Sequence, residues 1–440
     1  MSAAATDREH TDTLSPQGRA ALRGGVAGNF VDQVHIFLPL VALAPALPAI
    51  TGPHGGTAGA TIVVMAMLLG RPVGGVVFGR LSDRFGRTRT ATVAIGGTAT
   101  CTLGIAVTPT HEVIGAAAIW WILAMRFLGG VFIAGEYSAA IPLAMEWSRP
   151  RLRGLYSGLI MSMAPWAQAT IAFTTWALLS LLDPGAYETW GWRVPFVAGG
   201  VASLTLLHFY RRQVADRATA AASSRIGLRD LFTGQHRRSF WQLFGLMTGL
   251  WIMTNLVVIA LPDELRRSVG LDTTTAAWTM GAAAVAQAMI MACTGHLSTL
   301  VGRRRFFVLW GLLAAVSGPL VWLELVGTSQ IGRAMALACL LQVITVCGYG
   351  PVGAYLAEGF PAAIRSTGYG TAYSLSIIVP ALHPFWLPQL QHAIGHRTAV
   401  VALLVLAGLL VASCGHLGPR DDVRQLDLHP AAKETSHAHS

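Results

Sequence analysis

The chain alternates long apolar segments with short polar ones. A helix needs about 20 predominantly apolar residues to cross the hydrocarbon core of a bilayer. The apolar runs and the charges between them predict twelve such helices, at residues 23–48, 57–79, 90–108, 116–145, 155–181, 193–212, 241–262, 275–297, 306–327, 332–356, 368–388 and 397–416. The pattern therefore predicts an all-α membrane protein with short loops.

Composition supports this prediction. Of the 440 residues, 53% are hydrophobic and only 12% are charged, whereas soluble domains carry about 25% charged residues. So few charges cannot cover a surface that faces water on all sides. The composition excludes a soluble globular protein and favours a helix bundle whose outer walls contact the lipid bilayer.

The basic residues are unevenly distributed between the two sides of the predicted spans. The two tails and every second loop together hold 24 Arg and Lys residues, and the loops on the other side hold 5. Arg and Lys accumulate in the cytoplasmic loops of membrane proteins. The distribution predicts a multi-pass protein of the plasma membrane with both termini in the cytoplasm.

The longest polar connection divides the predicted spans into two sets of six. We expect a cytoplasmic N-tail at 1–22, a first six-helix half at 23–212, a cytoplasmic linker at 213–240, a second six-helix half at 241–416, and a disordered cytoplasmic C-tail at 417–440. The sequence thus predicts two membrane domains joined by one linker.

The loops after the second and eighth predicted spans share a pattern. Gly79–Arg89 reads GRLSDRFGRTR, and Gly295–Arg305 reads GHLSTLVGRRR, with Thr299 in the place of Asp83. Corresponding segments in two halves indicate the internal duplication found in many secondary transporters. Because only the first copy keeps an acid, we expect Asp83 to form a one-sided contact across the cytoplasmic face when the cavity opens outward.

A net charge of +10 raises the question of nucleic-acid binding. The basic residues cluster in short loops, without interleaved aromatic residues or a recognisable nucleic-acid fold, so we expect no nucleic-acid partner. The five cysteines lie inside apolar segments and form no C-x-x-C pair. This is typical of packing residues. We expect no metal, no cofactor and a monomer.

Ionisable side chains inside the predicted spans are functional candidates, because charge is costly to place in a bilayer. Asp32 and His35 stand three residues apart in the first span, on nearly the same helical face. There an acid and an imidazole can share or exchange a proton. With Glu136 in the fourth span they are the candidate proton-coupling residues. The alternative is a buried hydrogen-bonded pair that fixes the first helix to its neighbours.

Two arginines also fall inside the predicted spans. Arg126 precedes Glu136 by ten residues, about 15 Å along the helix, so the two cannot pair directly. A guanidinium that faces a water-filled cavity can hold a carboxylate through two hydrogen bonds, which makes Arg126 a candidate substrate ligand. The alternative is its neutralisation by a protein acid such as Asp32. Arg71, before Pro72, has an uncertain role, since its side chain can extend to the cytoplasmic interface.

Other polar residues are candidates for the cavity wall and for a gate. The substrate-binding candidates in the second half are Asn255, Gln342 and Tyr349, although ordinary helix-interface residues look similar. Charges and glycines at the cytoplasmic loops, where Glu146 and Arg153 flank one turn and Glu358 and Arg365 another, suggest salt bridges at a gate. The gate candidates are Gly79, Asp83, Arg84, Gly86, Arg87, Glu146, Arg153, Glu358 and Arg365.

Several landmarks occur together over residues 28–370. Leu69–Arg87 fits the pattern R-P-x-G-x-x-x-F-G-x-x-x-D-x-x-G-R, and further matches are Gly135-Glu136, Gly191–Phe196 and Ala357–Arg365. These motifs resemble those of the metabolite–proton symporter family within the major facilitator superfamily. The resemblance implies a twelve-helix transporter of two pseudo-symmetric halves that moves small carboxylates or zwitterionic osmolytes with protons.

The chain departs from that family at two places. The family usually shows G-x-x-x-E-x-x-D in the first helix, where this chain has Asp32 and His35 at the acidic positions. After Arg126, Gly129-Gly130 replaces the usual Gln-Gly. Both departures fall in the region expected to bind substrate and to couple transport to protons.

The leading interpretation is a secondary transporter that takes up a small organic anion or zwitterionic metabolite with protons by alternating access. An alternative is proton-driven efflux of a drug or metabolite on the same fold, although the G-P-x-x-G-G element of exporters is absent from 161–169. A non-transporting membrane sensor or scaffold is a remote alternative, because the longest polar stretch has only about thirty residues. No nucleophile–base or metal-ligand cluster indicates an enzyme.

Overall fold

The computed structural model describes residues 14–47, 50, 56–216 and 228–419. The predicted N-tail, linker and C-tail therefore lie partly outside the described residues. Within these ranges the regular secondary structure is entirely helical, with twelve long helical stretches joined by short connections. Short connections between long helices make successive helices antiparallel neighbours.

Six long helices form the first half. The first begins where Ser15 accepts a hydrogen bond from the Gly18 N–H at 3.1 Å, with Pro16 at the favourable first helical position. The helices are α1 Pro16–Leu38, α2 Gly56–Phe85, α3 Arg87–Ala106, α4 Ala117–Trp147, α5 Arg153–Leu181 and α6 Arg193–Gln213. Short helical turns at Pro39–Leu43, Ala44–Ala46, His111–Ile114, Pro184–Ala186 and Tyr187–Gly191 extend or connect them.

Six further stretches form the second half. Their main helices are α7 Arg237–Thr254, α8 Thr273–Val301, α9 Arg303–Gly327, α10 Ile331–Val346, α11 Arg365–Leu375 and α12 His396–Leu417. Shorter helical segments complete or connect them, at Leu228–Phe232, Asn255–Ile259, Leu261–Arg267, Cys347–Tyr349, Val352–Glu358, Ala362–Ile364, Ile378–Ala381 and His383–Ile394. The interruptions at Asn255 and at Tyr349 lie beside the central cavity described below.

Eight of the described helices are long and apolar enough to cross a membrane by length and composition alone. The other four long stretches are α3, α5, α6 and the one that contains α11. The first three carry more hydroxyl or charged side chains, and the last is broken into three short helices. The twelve stretches nevertheless occupy the positions of the twelve predicted spans.

The loop within each copy of the repeated segment is shorter than the sequence suggested. We expected the second span to end at 79, but α2 continues to Phe85, and a single residue, Gly86, separates it from α3. Gly302 separates α8 from α9 in the same way. The two glycines have φ angles of 97° and 95°, which side chains with a Cβ disfavour. The helix break therefore depends on one residue in each half.

Glycines also bring helices of the two halves into close contact. Gly74 faces the backbone of Val131 within the first half, whereas Gly75 faces Gly370 on α11. A Cβ on Gly79 would lie 2.8 Å from the Cα of Thr367. Small residues permit this close approach of membrane helices. The α2–α11 contact thus joins the two halves near one end of the bundle.

Candidate functional site

The two halves meet through polar side chains at the end of the bundle that carries Gly86 and Gly302, here called the basic face. The Asp83 carboxylate accepts hydrogen bonds from the N–H groups of Ser366 and Thr367 at 3.0 and 2.8 Å, and from the Thr367 hydroxyl at 2.7 Å. Residue Ile364 provides no side-chain cap for α11. The N–H groups of a first helical turn lack partners and attract anions, so Asp83 caps a helix of the other half.

A buried charge cluster lies next to this cap. Glu146, near the end of α4, forms ion pairs with Arg87 and Arg365. Arg87 also donates to the carbonyl oxygen of Ala362 at 3.2 Å. All three charged side chains are buried, and Arg365 belongs to the second half. Buried charges are stable only when paired, so separating the halves here requires new partners or water for each charge.

A second cluster repeats this arrangement with the halves exchanged. Glu358 accepts from Arg303 at 3.1 and 3.2 Å and from Arg153 at 3.3 Å. Arg303 follows Gly302, as Arg87 follows Gly86, and Arg153 belongs to the first half. The three side chains in this cluster are also buried. Two symmetric clusters therefore close the basic face.

The structure assigns the gate pairs differently from the sequence analysis. We grouped Glu146 with Arg153 and Glu358 with Arg365, because each pair flanks one turn. In the structure each acid pairs with the arginine of the other half, Glu146 with Arg365 and Glu358 with Arg153. We did not predict Arg303, although its place in the repeated loop was an available signal.

The remaining predicted gate residues contribute in other ways. Gly79 provides the close contact with α11, and Gly86 provides the helix break. Arg84 is exposed, and its guanidinium lies 5.1 Å from the centre of the neighbouring Phe85 ring. Arg84 therefore takes no part in the buried clusters.

A cavity lies between the two halves. Helices α1, α2 and α5 of the first half line it, together with residues of α7, α8, α10 and α11 or their extensions. The two charge clusters are absent from its wall. Because both halves contribute, a relative movement of the halves changes access to this cavity.

Arg71 reaches the wall of this cavity. It lies near the middle of α2, about 21 Å from the helix end at Phe85, and only 2% of its surface is exposed. Its guanidinium carbon lies 5.3, 5.3 and 5.4 Å from the ring centres of Tyr137, Trp251 and Tyr373. The expectation that Arg71 extends to the interface is therefore wrong. Its position in the middle of a long helix keeps it among the aromatic rings.

Asp32 and Glu136 form a buried carboxyl pair inside the first half. Both side chains are 2% exposed, and the two groups lie within hydrogen-bonding reach of each other. Gly28 leaves the space that the Glu136 carboxyl occupies beside α1. Oxygens Oδ1 of Asp32 and Oε1 of Glu136 have no other partner. Both residues were predicted as proton-coupling candidates, but their pairing was not predicted.

His35 does not pair with Asp32. Its two ring nitrogens face the hydroxyl groups of Ser203 at 2.7 Å and Thr102 at 3.0 Å. A neutral imidazole has one donor and one acceptor, and hydroxyl groups can serve both. This geometry favours the alternative in which His35 fixes α1 to α3 and α6.

Arg126 lies behind the cavity wall. Its guanidinium donates to the carbonyl oxygen of His35 at 2.8 Å and to the sulfur of Met67 at 2.7 Å. Met67 lines the cavity, and Arg126 does not. Asp32 is not among its hydrogen-bond partners. The geometry therefore makes Arg71 the better placed of the two arginines for contact with a ligand.

The other predicted wall residues divide in the same way. Asn255 and Tyr349 line the cavity, and the Asn255 amide donates to the Trp251 carbonyl at 2.8 Å. Gln342 is fully buried, away from the cavity, and faces the Val257 carbonyl at 3.4 Å. Within the described ranges, no group of three His, Cys, Asp or Glu side chains could hold a metal ion.

Comparisons with known proteins agree with this architecture. The model of the "Major Facilitator Superfamily" matches residues 33–258, and that of the "Sugar (and other) transporter" family matches residues 212–416. The solved proton:xylose symporter XylE superposes with a TM-score of 0.74 at 15% identity, over 92% of this chain and 95% of that chain. At this identity the likeness concerns the fold.

Three curated proteins of Escherichia coli K12 are similar over most of their length. They are the inner membrane metabolite transport protein YhjE (27% identity; 93% of this chain, 96% of YhjE), alpha-ketoglutarate permease (26%; 80% and 83%) and the shikimate transporter (27%; 94% and 97%). The predicted resemblance to metabolite transporters is confirmed. The chain belongs to the major facilitator superfamily and is a multi-pass membrane transporter of small molecules rather than an enzyme.

Proposed function

We propose that this protein takes up a small organic anion or zwitterionic metabolite together with protons by alternating access. The substrate binds in the cavity between the halves, and protons bind at Asp32 and Glu136. The protein works in the plasma membrane with both termini in the cytoplasm. One chain supplies both halves of the cavity, so a monomer contains a complete site, and no cofactor is involved.

The buried carboxyl pair is the observation that carries this proposal. Two neighbouring carboxyl groups in a site of low polarity cannot readily both be ionised, so such a pair tends to hold a proton. The pair is close to the cavity, because Asn29 lines both the cavity and the small space around Asp32 and Glu136. Arg71 lies on the wall of the same cavity. Substrate charge and proton occupancy can therefore influence each other.

This arrangement suggests how proton and substrate are coupled. A bound carboxylate neutralises the charge of Arg71, and a negative charge in the cavity disfavours further negative charge on the neighbouring carboxyl pair. Protonation of the pair and binding of the anion then favour each other. The loaded halves move together, and the empty halves return after both have dissociated. Only the loaded and the empty protein change orientation rapidly, which is the requirement for symport.

The charge distribution supports the orientation. The basic face carries the Arg residues of the loops that we assign to the cytoplasm. The caps and clusters at this face connect the two halves. The structure then corresponds to the state that is closed toward the cytoplasm, and release of substrate requires these contacts to open.

Reconstituted protein tests the proposal. Proteoliposomes with an acidic exterior and a neutral lumen are supplied with three classes of radiolabelled solute. These are monocarboxylates, dicarboxylates and zwitterionic osmolytes. We expect one class to accumulate above equilibrium, and a protonophore to abolish this accumulation. Accumulation that depends only on an outward-directed counter-substrate, or substrate accumulation when the lumen rather than the exterior is acidic, would contradict proton-driven uptake and favour exchange or proton-driven efflux.

A further inference from the structure

The charge and the hydrogen-bonding groups of the cavity wall favour one class of substrate over the others. This inference rests on the proposed function of the protein as a transporter of small anions or zwitterions. We infer that the substrate is a hydroxylated monocarboxylate. Its carboxylate is bound by Arg71, and its hydroxyl groups donate to amide oxygens of the cavity wall. The site thus takes one negative charge and several hydrogen-bond donors.

The described residues of the cavity wall carry a single positive charge. Among the described residues that line the cavity, Arg71 is the only one with a charged side chain. The remaining polar residues are neutral amides, a threonine and tyrosines. A ligand with a single carboxylate makes the site electrically neutral. Charge neutrality matters here because an uncompensated charge in a buried site is strongly unfavourable.

The Arg71 guanidinium has N–H donors that no protein group accepts. Its Nε and Nη2 atoms are buried and have no hydrogen-bond partner. Three aromatic rings lie close to the guanidinium and interact with its charge, but Nε and Nη2 remain without an acceptor. Adjacent Nε and Nη2 donors match the two oxygens of a carboxylate. The Arg71 side chain is therefore already positioned to bind a carboxylate.

Three amide oxygens of the cavity wall have no hydrogen-bond donor. The cavity is lined by Asn29, Asn255 and Gln287, and the side-chain oxygen of each is buried without a partner. The amide nitrogens of Asn29 and Asn255 are already used, since they donate to backbone carbonyls. Buried acceptors without donors are costly. Hydroxyl groups on the substrate body would satisfy them, and an unsubstituted hydrocarbon body would not.

The same features disfavour the other charge classes. The second carboxylate of a dicarboxylate finds no cation on the wall, and it would face amide oxygens. The ammonium group of a zwitterion finds no acid, and Arg71 already occupies the faces of Tyr137, Trp251 and Tyr373 that could hold a quaternary ammonium. A zwitterion would therefore leave the positive charge of Arg71 uncompensated within the site.

Ligand-dependent thermal stabilisation of the purified protein tests the inference without requiring transport. The probes are shikimate, quinate and gluconate as hydroxylated monocarboxylates, and cyclohexene-1-carboxylate as the monocarboxylate without hydroxyl groups. Methyl shikimate is the uncharged analogue, α-ketoglutarate the dicarboxylate, and proline and glycine betaine the zwitterions. We expect at least one member of the first group to bind at least about tenfold more tightly than every other class.

Two arginine variants locate the carboxylate. Arg71→Gln should weaken binding of the best hydroxylated monocarboxylate by about 100-fold or more, because the carboxylate loses its charged partner. Arg71→Lys keeps the charge but loses the planar pair of donors, so it should recover part of the affinity. Arg126→Lys is the matched control, since Arg126 is equally buried but lies behind Met67. It should bind with nearly the affinity of the unmodified protein.

A third variant tests the acceptors. Asn255→Ala should weaken binding of the hydroxylated acid and leave that of cyclohexene-1-carboxylate nearly unchanged, so that the difference between the two ligands shrinks. The unliganded melting temperature of each variant shows whether it folds. Equal losses for both ligands in a folded Asn255→Ala protein would contradict a role in hydroxyl recognition.

The outcomes separate this inference from the proposed function. Tighter binding of a dicarboxylate or a zwitterion, no binding by the hydroxylated acids, or an Arg126→Lys loss that exceeds the Arg71→Gln loss would overturn the inference. Proton-driven accumulation of the better-binding class would then leave the proposed function intact. Absence of proton-driven accumulation for every solute, with hydroxylated acids still bound through Arg71, would overturn the proposed function alone.

Discussion

Asp83 accepts hydrogen bonds from both the N–H group and the hydroxyl of Thr367, at 2.8 and 2.7 Å. These residues belong to different halves, and Thr367 lies in the first turn of α11. The corresponding position in the second half is Thr299, which accepts a hydrogen bond from Arg303 within its own half at 3.1 Å. The cap across the halves is therefore one-sided, as the altered repeat predicted.

Asp83→Ala should favour opening of the basic face, because α11 loses the acceptor for its first N–H groups. The expected result is faster hydrogen exchange at Ser366 and Thr367, with slower transport but retained substrate binding. Asp263→Ala is a suitable control, since Asp263 and its partner Arg266 are both exposed. Unchanged exchange at α11 in Asp83→Ala would show that the cap does not hold the halves together.

The buried clusters should contribute more to stability than exposed ion pairs. Glu146→Gln leaves two buried guanidinium groups without a carboxylate and should lower the free energy of unfolding by about 3 kcal/mol or more. Glu324→Gln, which removes an exposed pair with Arg333, should change it by about 1 kcal/mol or less. Thermal unfolding in detergent measures both. Equal effects would mean that the cluster is solvated.

Close contact at Gly79 provides a steric test of the same face. Gly79→Val should prevent α2 from approaching Thr367 and so shift the protein toward the state that is open at the basic face. Gly96→Val is the matched control on α3, where the nearest atom to an added Cβ lies at 3.9 Å. Distances between spin labels on the two halves at this face should increase for Gly79→Val alone. A distance distribution that does not change would exclude the contact as a determinant of closure.

His35 should be structural rather than part of proton coupling. His35→Gln disrupts contacts with Ser203 and Thr102 and should lower the melting temperature, since buried polar groups lose partners. Proton-driven accumulation per folded molecule should remain. Loss of accumulation without loss of binding or folding would instead return His35 to the coupling mechanism.

Some of this site could be read from the sequence and some could not. Apolar runs, basic loops and the repeated glycines predicted twelve helices and two halves, since these signals are local. Residues such as Glu146 and Arg365 could be named as gate candidates, but not paired with each other. Their pairing depends on how helices far apart in sequence pack. The position of Arg71 likewise depends on three rings from three other helices.

The central claim is that the Asp32–Glu136 pair couples uptake to protons. Asp32→Asn imitates a permanently uncharged residue at this position, so the substrate site and its movement should persist while the proton dependence is lost. Glu136→Gln neutralises the other carboxyl group of the pair, so it should have the same effect as Asp32→Asn. Both variants should retain binding of the transported solute.

The most direct measurement compares counterflow with proton-driven accumulation in proteoliposomes that contain the Asp32→Asn protein. Counterflow reports exchange of substrate across the membrane, and accumulation against a gradient reports use of the proton gradient. We expect Asp32→Asn to keep counterflow and to lose accumulation driven by an acidic exterior. Accumulation by Asp32→Asn at the level of the unmodified protein would contradict the account.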